Sequence, residues 1–433
     1  MGVEKAIMKK IIVRAPVLTR SGYGEHGRFV LRALRKVEHL YDIYVQPVPW
    51  GQTGWLHEDD EERRWIDSLI RKTSQYQARS NNNPAYDMSI QVTIPNEWQP
   101  MAPVNVGVTA GIETTKVAPI WLEKANAMNK IITVSNHSKD VFEKTGYEAV
   151  VKATGQKTYL KLARPEDMSV VHYPVKKFEK TDLNLELETD FNFLAVAQWG
   201  PRKNLHNTIG WFVEEFMDNP DVGLVVKTFQ AGNSLTDRHN VTKSVSNFLK
   251  QYENRKCKVY ILHGDMSDQE MHSLYADPKI KALVSLTHGE GFGLPIFEAA
   301  YSGVPVAAPE WSGHVDFLFA PKKDKKTKKE KFKPHFARIK YDIAPVPDHA
   351  VWEGVIQKES MWCYPQHASY KMTLREIYKD YGRFKKQAKD LQKWICKEFE
   401  QEKQYDLLVE KMIPSHSEVM TDDEFDDLFD NMV

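Results

Sequence analysis

HGEGFGLPIFEAA, residues His288 to Ala300, sits between two apolar runs, IKALVSLT (280–287) and VPVAAP (304–309). A plain turn from a strand into a helix needs one or two glycines and no carboxylates. Here Gly289, Gly291 and Gly293, a proline and two glutamates fill the turn and the start of the helix. Pro295 suits a first helical turn, where its missing N–H has no partner to lose. The helix is expected to run through Glu298-Ala299-Ala300 and to stop near Gly303. Its first backbone N–H groups, around Phe292 to Leu294, are then unpaired, and with the positive helix end they form an anion site. Such a site suits a phosphate or diphosphate, and Gly291 and Gly293 let the backbone come close to it. A carboxylate beside a phosphate repels it, so Glu290 and Glu298 are expected to accept hydroxyls, as a sugar or a ribose offers. The plainer alternative is a glycine-rich turn with a helix-capping glutamate.

The chain has 433 residues, more than one ordinary domain, with 42% hydrophobic and 27% charged side chains; two globular domains are expected. Its 59 basic and 59 acidic residues cancel, so any pull toward a polyanion has to be local. Cys257, Cys363 and Cys396 are scattered, which speaks against a disulfide framework or zinc knuckle and for a reducing, cytoplasmic setting. The N-terminal MGVEKAIMKKIIVRAP lacks the apolar core of a signal peptide, and Ala6 stands where a myristoylation signal wants Ser or Thr. No apolar run approaches the roughly 20 residues of a membrane span.

Strand-like runs at 10–18, 41–49, 86–95, 104–110, 130–135 and 169–175 alternate with helical patterns. The pattern restarts at 191–198, 222–229, 258–264, 280–287 and 304–309. Alternation of this kind implies parallel sheets covered on both faces. The expected architecture is α/β, two Rossmann-like doubly wound domains facing a cleft. The boundaries follow: 1–182 and 183–368 for the two domains, 369–413 for C-terminal helices packing back across them, 414–433 for an acidic tail. The Lys-rich run 322–333 reads as a charged loop of the second domain.

Beyond the glycine–glutamate segment, several stretches resemble one family. EGFGLPIFE resembles the Glu-x7-Glu signature of the retaining GT-B glycosyltransferases of the sucrose-synthase-like family four. EAAYSGVPVAAPEWSGHVDFL, HGDMSDQEMHSLYADPKIKALVSLTHGEGFG, FLAVAQWGPRKNL and IITVSNHSKDVF resemble the neighbouring stretches of that family, in its order. The resemblance implies a nucleotide sugar, UDP-linked, held mostly by the C-terminal domain, with no metal and no cofactor besides this donor. It assigns Glu298 to the ribose hydroxyls, Glu290 to the donor sugar, and the backbone of Gly291, Phe292, Gly293 and Leu294 to sugar and diphosphate. Arg202 and Lys203 would neutralise the diphosphate and stabilise it as it leaves; a solvated turn is the alternative for this pair. Many members carry a second arginine where this chain has Gln198-Trp199. The grip then rests on Arg202 and Lys203 alone or recruits Lys227, with Gln198 beside the donor. In the N-terminal domain, TRSGYGEHGR resembles the family's glycine-rich first loop, which places Gly22, Tyr23 and Gly24 near the diphosphate and acceptor. Glu113, in TAGIETTKVAP, is the acceptor candidate, and a purely structural role is equally open. His172 reads as a structural residue at the domain hinge. The resemblance also implies retention at the anomeric carbon, with the departing phosphate oxygen taking the acceptor proton.

The acceptor is less legible. Eight lysines against two acids in 322–333 suggest contact with a DNA backbone, an anionic membrane, or nothing but water. The tail EVMTDDEFDDLFDNMV places Phe425, Leu428, Phe429 and Met432 at i, i+3, i+4, i+7, apolar on one face and acidic on the other. It is similar to the peptides by which some phage replication proteins bind their sliding clamp. These features favour hydroxymethylated or already glycosylated cytosine in phage DNA as the acceptor. The competing readings are a surface polysaccharide or lipid-linked glycan, and an inactive binding module.

Overall fold

The computed structural model describes residues 8–51, 53–150, 155–323 and 329–413. In the first half, β1 (Lys9–Ala15), β2 (Tyr41–Pro47), β3 (Met88–Val92), β4 (Val104–Thr109) and β5 (Lys130–Thr133) precede a hairpin, β6 (Gly146–Val150) and β7 (Lys157–Lys161), and then β8 (Met168–Val170). All but the hairpin join one parallel sheet in the order β2-β1-β3-β4-β5-β8. Helices α1 (Gly22–Arg35), α2 (Glu61–Arg79), α3 (Pro119–Asn126) and α4 (Asn136–Lys144) are the connections. The second half repeats the plan. Strands β9 (Phe191–Val196), β10 (Val222–Lys227), β11 (Lys258–Leu262), β12 (Ile280–Val284) and β13 (Val306–Pro309) alternate with α5 (Leu205–Phe216), α6 (Leu235–Leu249), α7 (Asp268–Tyr275) and α8 (Leu294–Tyr301). A short α9 (Val315–Leu318) leads to the hairpin of β14 (Phe319–Lys323) and β15 (Glu330–Pro334), followed by β16 (Ala337–Ile339). The sheet order is β11-β10-β9-β12-β13-β16, again parallel throughout.

The central strands are apolar without alternation because helices cover both faces: all six residues of β10 are buried. A last hairpin, β17 (Tyr341–Pro345) with β18 (Met361–Pro365), precedes α10 (His367–Lys379), α11 (Tyr381–Glu398) and α12 (Gln401–Met412). Helix α10 packs on α5, α11 on α8, and α12 crosses to α1 and β5. One apolar cluster therefore runs from Ile11 of β1 through Phe292 and Phe297 to Leu408 of α12.

Two local expectations are corrected. The strand-like run 169–175 pairs only as far as Val170. Beyond it the chain leaves the sheet toward the second domain: the Val175 N–H reaches the Phe399 carbonyl at 2.8 Å, and the Tyr173 ring meets Phe292 at 5.1 Å. The charged segment 322–333 is no plain loop, because its two ends form a ladder with Lys322 opposite Lys331 and Lys323 opposite Glu330. The C-terminal stretch holds three helices, the first starting at His367, with breaks at Asp380 and at Phe399-Glu400. The acidic segment 414–433, with Phe425, Leu428, Phe429 and Met432, lies outside the described residues. No helix among the described residues is long and apolar enough to cross a membrane.

Candidate functional site

A cleft of about 1220 Å³ separates the two sheets, lined from the second domain by residues 290–295 and Glu298 and from the first by the loops after β1 and β4. Both strand sets point their carboxyl ends at it, where open α/β sheets take ligands. At its floor the glycine–glutamate segment enters α8. Gly293 is in the left-handed region (φ 93°) and caps the helix with no side-chain hydrogen bond. The N–H groups of Gly291, Phe292, Gly293 and Leu294 have no acceptor among the described residues. A Cβ at Gly291 would overlap the Ala110 carbonyl of the opposite domain, and a Cβ at Gly289 the Glu113 carbonyl. These glycines are required by close approach of the two domains as well as by access to a ligand. The Phe292 side chain points away into an aromatic cluster with Phe317 at 4.9 Å and Phe297 at 5.1 Å. It leaves only its backbone toward the cleft.

Glu290 is 8% exposed. Lys203 Nζ donates to its Oε1 at 2.6 Å and Arg202 Nη1 to its Oε2 at 3.1 Å. Burial alone would raise its pKa, but Lys203 and then Arg202 outweigh burial and hold it at about 2. Burial and the neighbouring Arg202 in turn lower the Lys203 pKa, against the pull of Glu290. Arg202 also donates to the Gly289 carbonyl at 2.7 Å, and its Nε faces Glu113 Oε1 at 2.8 Å. Glu113, Arg202, Glu290 and Lys203 thus form one ionic chain across the domain boundary. Sequence reasoning paired the last three with a ligand and Glu113 with an acceptor; the structure joins all four to one another.

Glu298 lies one helical turn further in. Burial, and then the nearby Asp268 carboxylate, push its pKa up to about 7 against the opposing Lys176. Tyr275 Oη donates to its Oε2 at 3.0 Å. Lys176, from the interdomain connection, bridges Glu25 of α1 at 2.6 Å and Asp268 of α7 at 2.7 Å. Burial would raise the Glu25 pKa, but Arg32, Lys176 and Arg28 keep it well below the usual carboxylate range. This second cross-domain chain, Glu25–Lys176–Asp268, was not anticipated. The capping box of Ser267 and Glu270 marks the start of α7 and was the one local signal for its acidic end.

Lys227 is also at the cleft, 8% exposed, with Nζ on the Gly264 carbonyl at 2.5 Å and its pKa lowered, mainly by burial. Gln198 lines the cleft and donates to the Gln230 carbonyl at 3.1 Å. Gly22, Tyr23 and Gly24, expected in a loop, form the first turn of α1; Gly22 faces open space, whereas a Cβ at Gly24 would overlap the Thr19 carbonyl. Ser21 caps α1 by accepting from the Gly24 N–H at 2.9 Å. The Tyr23 hydroxyl is tied to Thr109 Oγ1 at 2.9 Å, and its ring lies 4.3 Å from that of Trp50. Tyr23 and Trp50 therefore present an aromatic wall on the first domain's side of the cleft. His172 sits at the domain junction, where its Nε2 meets Asp316 Oδ2 at 2.9 Å while Asp316 accepts the Asn136 N–H at 2.8 Å.

No protein-family profile matches the sequence. A stretch of 115 residues, 27% of this chain, is 30% identical to the serotype-specific mannosyltransferase WbdA of Escherichia coli and spans 13% of that protein's length. Over the whole chain, sucrose-phosphate synthase from Thermosynechococcus elongatus is similar in structure, with TM-score 0.57 and 13% identity over 98% of this chain and 100% of that one. HepE of Anabaena, solved with UDP and glucose, has TM-score 0.51 and 14% identity over 93% of this chain and 98% of its own. With two parallel-sheet Rossmann-like halves facing a cleft and full-length structural neighbours of this kind, the chain has the GT-B fold.

Proposed function

We propose that the protein is a retaining glycosyltransferase that moves a sugar from a nucleotide-diphosphate sugar, UDP-linked, to an acceptor hydroxyl. The observation that carries this reading is the row of bare amides at residues 291–294, set beside Lys203 and Arg202 in a two-domain cleft. Bare N–H groups at a helix start and two cations suit a diphosphate, whose charge grows as the sugar leaves. In this reading the diphosphate competes with Glu290 and Glu113 for Lys203 and Arg202, and Lys227 adds charge from β10. Glu290, released from part of its ionic chain, accepts hydroxyls of the donor sugar, and Glu298 accepts those of the ribose. Gly22 leaves room for the donor beside the first loop, and Tyr23 with Trp50 walls the acceptor side. The departing phosphate oxygen takes the acceptor proton on the same face, so no protein nucleophile is needed. Closure of the two domains on Gly289 and Gly291 excludes water and suppresses donor hydrolysis. The fold similarity to HepE, solved with UDP and glucose, supports the donor class.

For the acceptor we carry modified cytosine in DNA, supported by the lysines of the β14–β15 hairpin and the acidic segment that follows residue 413. On this reading the segment docks on a replication clamp. A surface glycan is the second reading, favoured by the 115-residue similarity to a mannosyltransferase. Incubation with a panel of nucleotide sugars and either hydroxymethylated duplex DNA or lipid extract, followed by mass spectrometry, separates them. A hexose or pentose mass added to digested nucleosides supports the first reading, and one added to lipid-linked glycan replaces it with the second. Nucleotide binding with no transfer to either would leave a binding module and sink the enzyme reading.

A further inference from the structure

Lys386, Lys389, Lys393 and Lys397 of α11 are all exposed. At about 100° per residue they fall within roughly 80° of arc, along about 16 Å of helix axis. The opposite face, Phe384, Ala388, Leu391 and Ile395, is buried. None of the four lysines has a carboxylate partner among the described residues, since Arg383 takes Glu376 and Asp380 while Lys403 takes Glu398. Asp390, exposed at the edge of the stripe, pairs with none of them. Like charges at i, i+4 destabilise a helix, and a merely solvated face intersperses both signs. In a chain of zero formal charge this is a local concentration of cations kept against its own repulsion.

The stripe is held rigidly. On one flank Gln387 Nε2 donates to the Pro334 carbonyl at 2.8 Å and the Phe332 ring meets Trp394 at 5.9 Å. On the other, Lys385 Nζ donates to the Gly303 carbonyl at 2.9 Å and Gln392 Nε2 to the Tyr301 carbonyl at 2.8 Å. Its C-terminal end leads to the cleft. Lys177, close enough to act electrostatically on Cys396 and Glu400, lines the cleft together with Gln401 and Tyr405. A helix that inserts at a membrane interface offers an apolar face to the acyl boundary, and that of α11 is used up in the core. A straight row of lysines suits the dense negative charge of a phosphodiester backbone, one charge per roughly 1.7 Å of duplex axis.

We propose that this lysine stripe is the docking face for the phosphate backbone of duplex DNA and leads it to the cleft rim at Lys177. The proposal deepens the DNA reading of the acceptor and rests on it for what is delivered. Labelled duplex DNA is titrated with the full chain over a range of salt concentrations. The quadruple variant Lys386→Gln, Lys389→Gln, Lys393→Gln, Lys397→Gln is compared with wild type and with the same four positions changed to Arg. The Gln variant is expected to bind at least about tenfold more weakly at low salt. Its log–log salt slope should be shallower by about 0.9 for each lost contact, while the Arg variant stays near wild type. Equal DNA affinity for wild type and the Gln variant overturns the proposal. So does binding to phosphatidylserine vesicles, but not to DNA, through the same lysines. UDP affinity measured on the same samples separates the two claims: its absence in wild type counts against the donor reading, whereas the DNA titration judges only the stripe.

Discussion

Glu290 and Glu298 stand eight residues apart on one segment and line the same cleft, the first buried and the second half-buried. Their surroundings drive them in opposite directions. Two cations clamp Glu290 and keep it ionised at about 2, whereas burial and a neighbouring carboxylate hold the Glu298 proton to about 7. The loop before α8 therefore lies against cations that favour negative charge, whereas one turn into the helix, at Glu298, negative charge is costly until hydroxyls arrive. On the proposed reading, that asymmetry suits a donor whose diphosphate takes the cations beside Glu290 and whose neutral ribose meets Glu298.

Removing the clamp should have the largest effect. Lys203→Ala deletes the shortest ionic contact of Glu290 and one charge from the diphosphate site. We expect a loss of about 10²–10³ in kcat/KM, the scale for one transition-state donor, measured as sugar transfer from the preferred nucleotide sugar. A loss below about threefold would show that the clamp is structural only. At the other carboxylate, Glu298→Ala should weaken UDP binding by about tenfold or more, the scale of hydrogen bonds to a charged group, in calorimetric titration. Unchanged affinity would remove the ribose role and break the comparison.

The two sites also predict opposite pH behaviour of stability. Folded Glu298 keeps its proton up to about 7, against an ordinary value of 4.5, so the folded state binds more protons in that window. Its contribution is present at low pH and is lost as pH rises from about 4.5 through 7. Glu290 behaves in reverse, with a contribution present above 4.5 and lost as pH falls toward about 2. Glu298→Gln should accordingly flatten the decline of Tm between about pH 5 and 7, by roughly 2–4 °C, in thermal scans. An unaltered profile would mean that another group titrates there. The smallest effect is expected at Glu113. Glu113→Gln frees Arg202 from its cross-domain partner, and UDP affinity should rise by no more than about fivefold, the scale of a partly exposed ion pair. A raised acceptor KM with unchanged UDP affinity would instead give Glu113 the acceptor role.

What was legible beforehand was what is local. Pro295, the glycines and the helix period needed only near neighbours to be read, as did the alternation of strands and helices. The run at 169–175 misled because Tyr173 and Val175 are buried for a different reason: past Val171 they pack at the junction with Phe292 and Phe399, not within a sheet. Lys176 drew no notice because its partner Asp268 lies 92 positions away. Likewise nothing near Glu113 in the chain announces Arg202.

The amino-acid order by itself pointed to the two α/β halves and to unpaired amides around Phe292 to Leu294 at a helix start, because hydrophobic period and turn chemistry act over a few residues. Only the folded chain decided which charges meet. Coulomb attraction and desolvation depend on distances through space, and the domain interface sets these for Glu290, Glu298 and Lys176 alike.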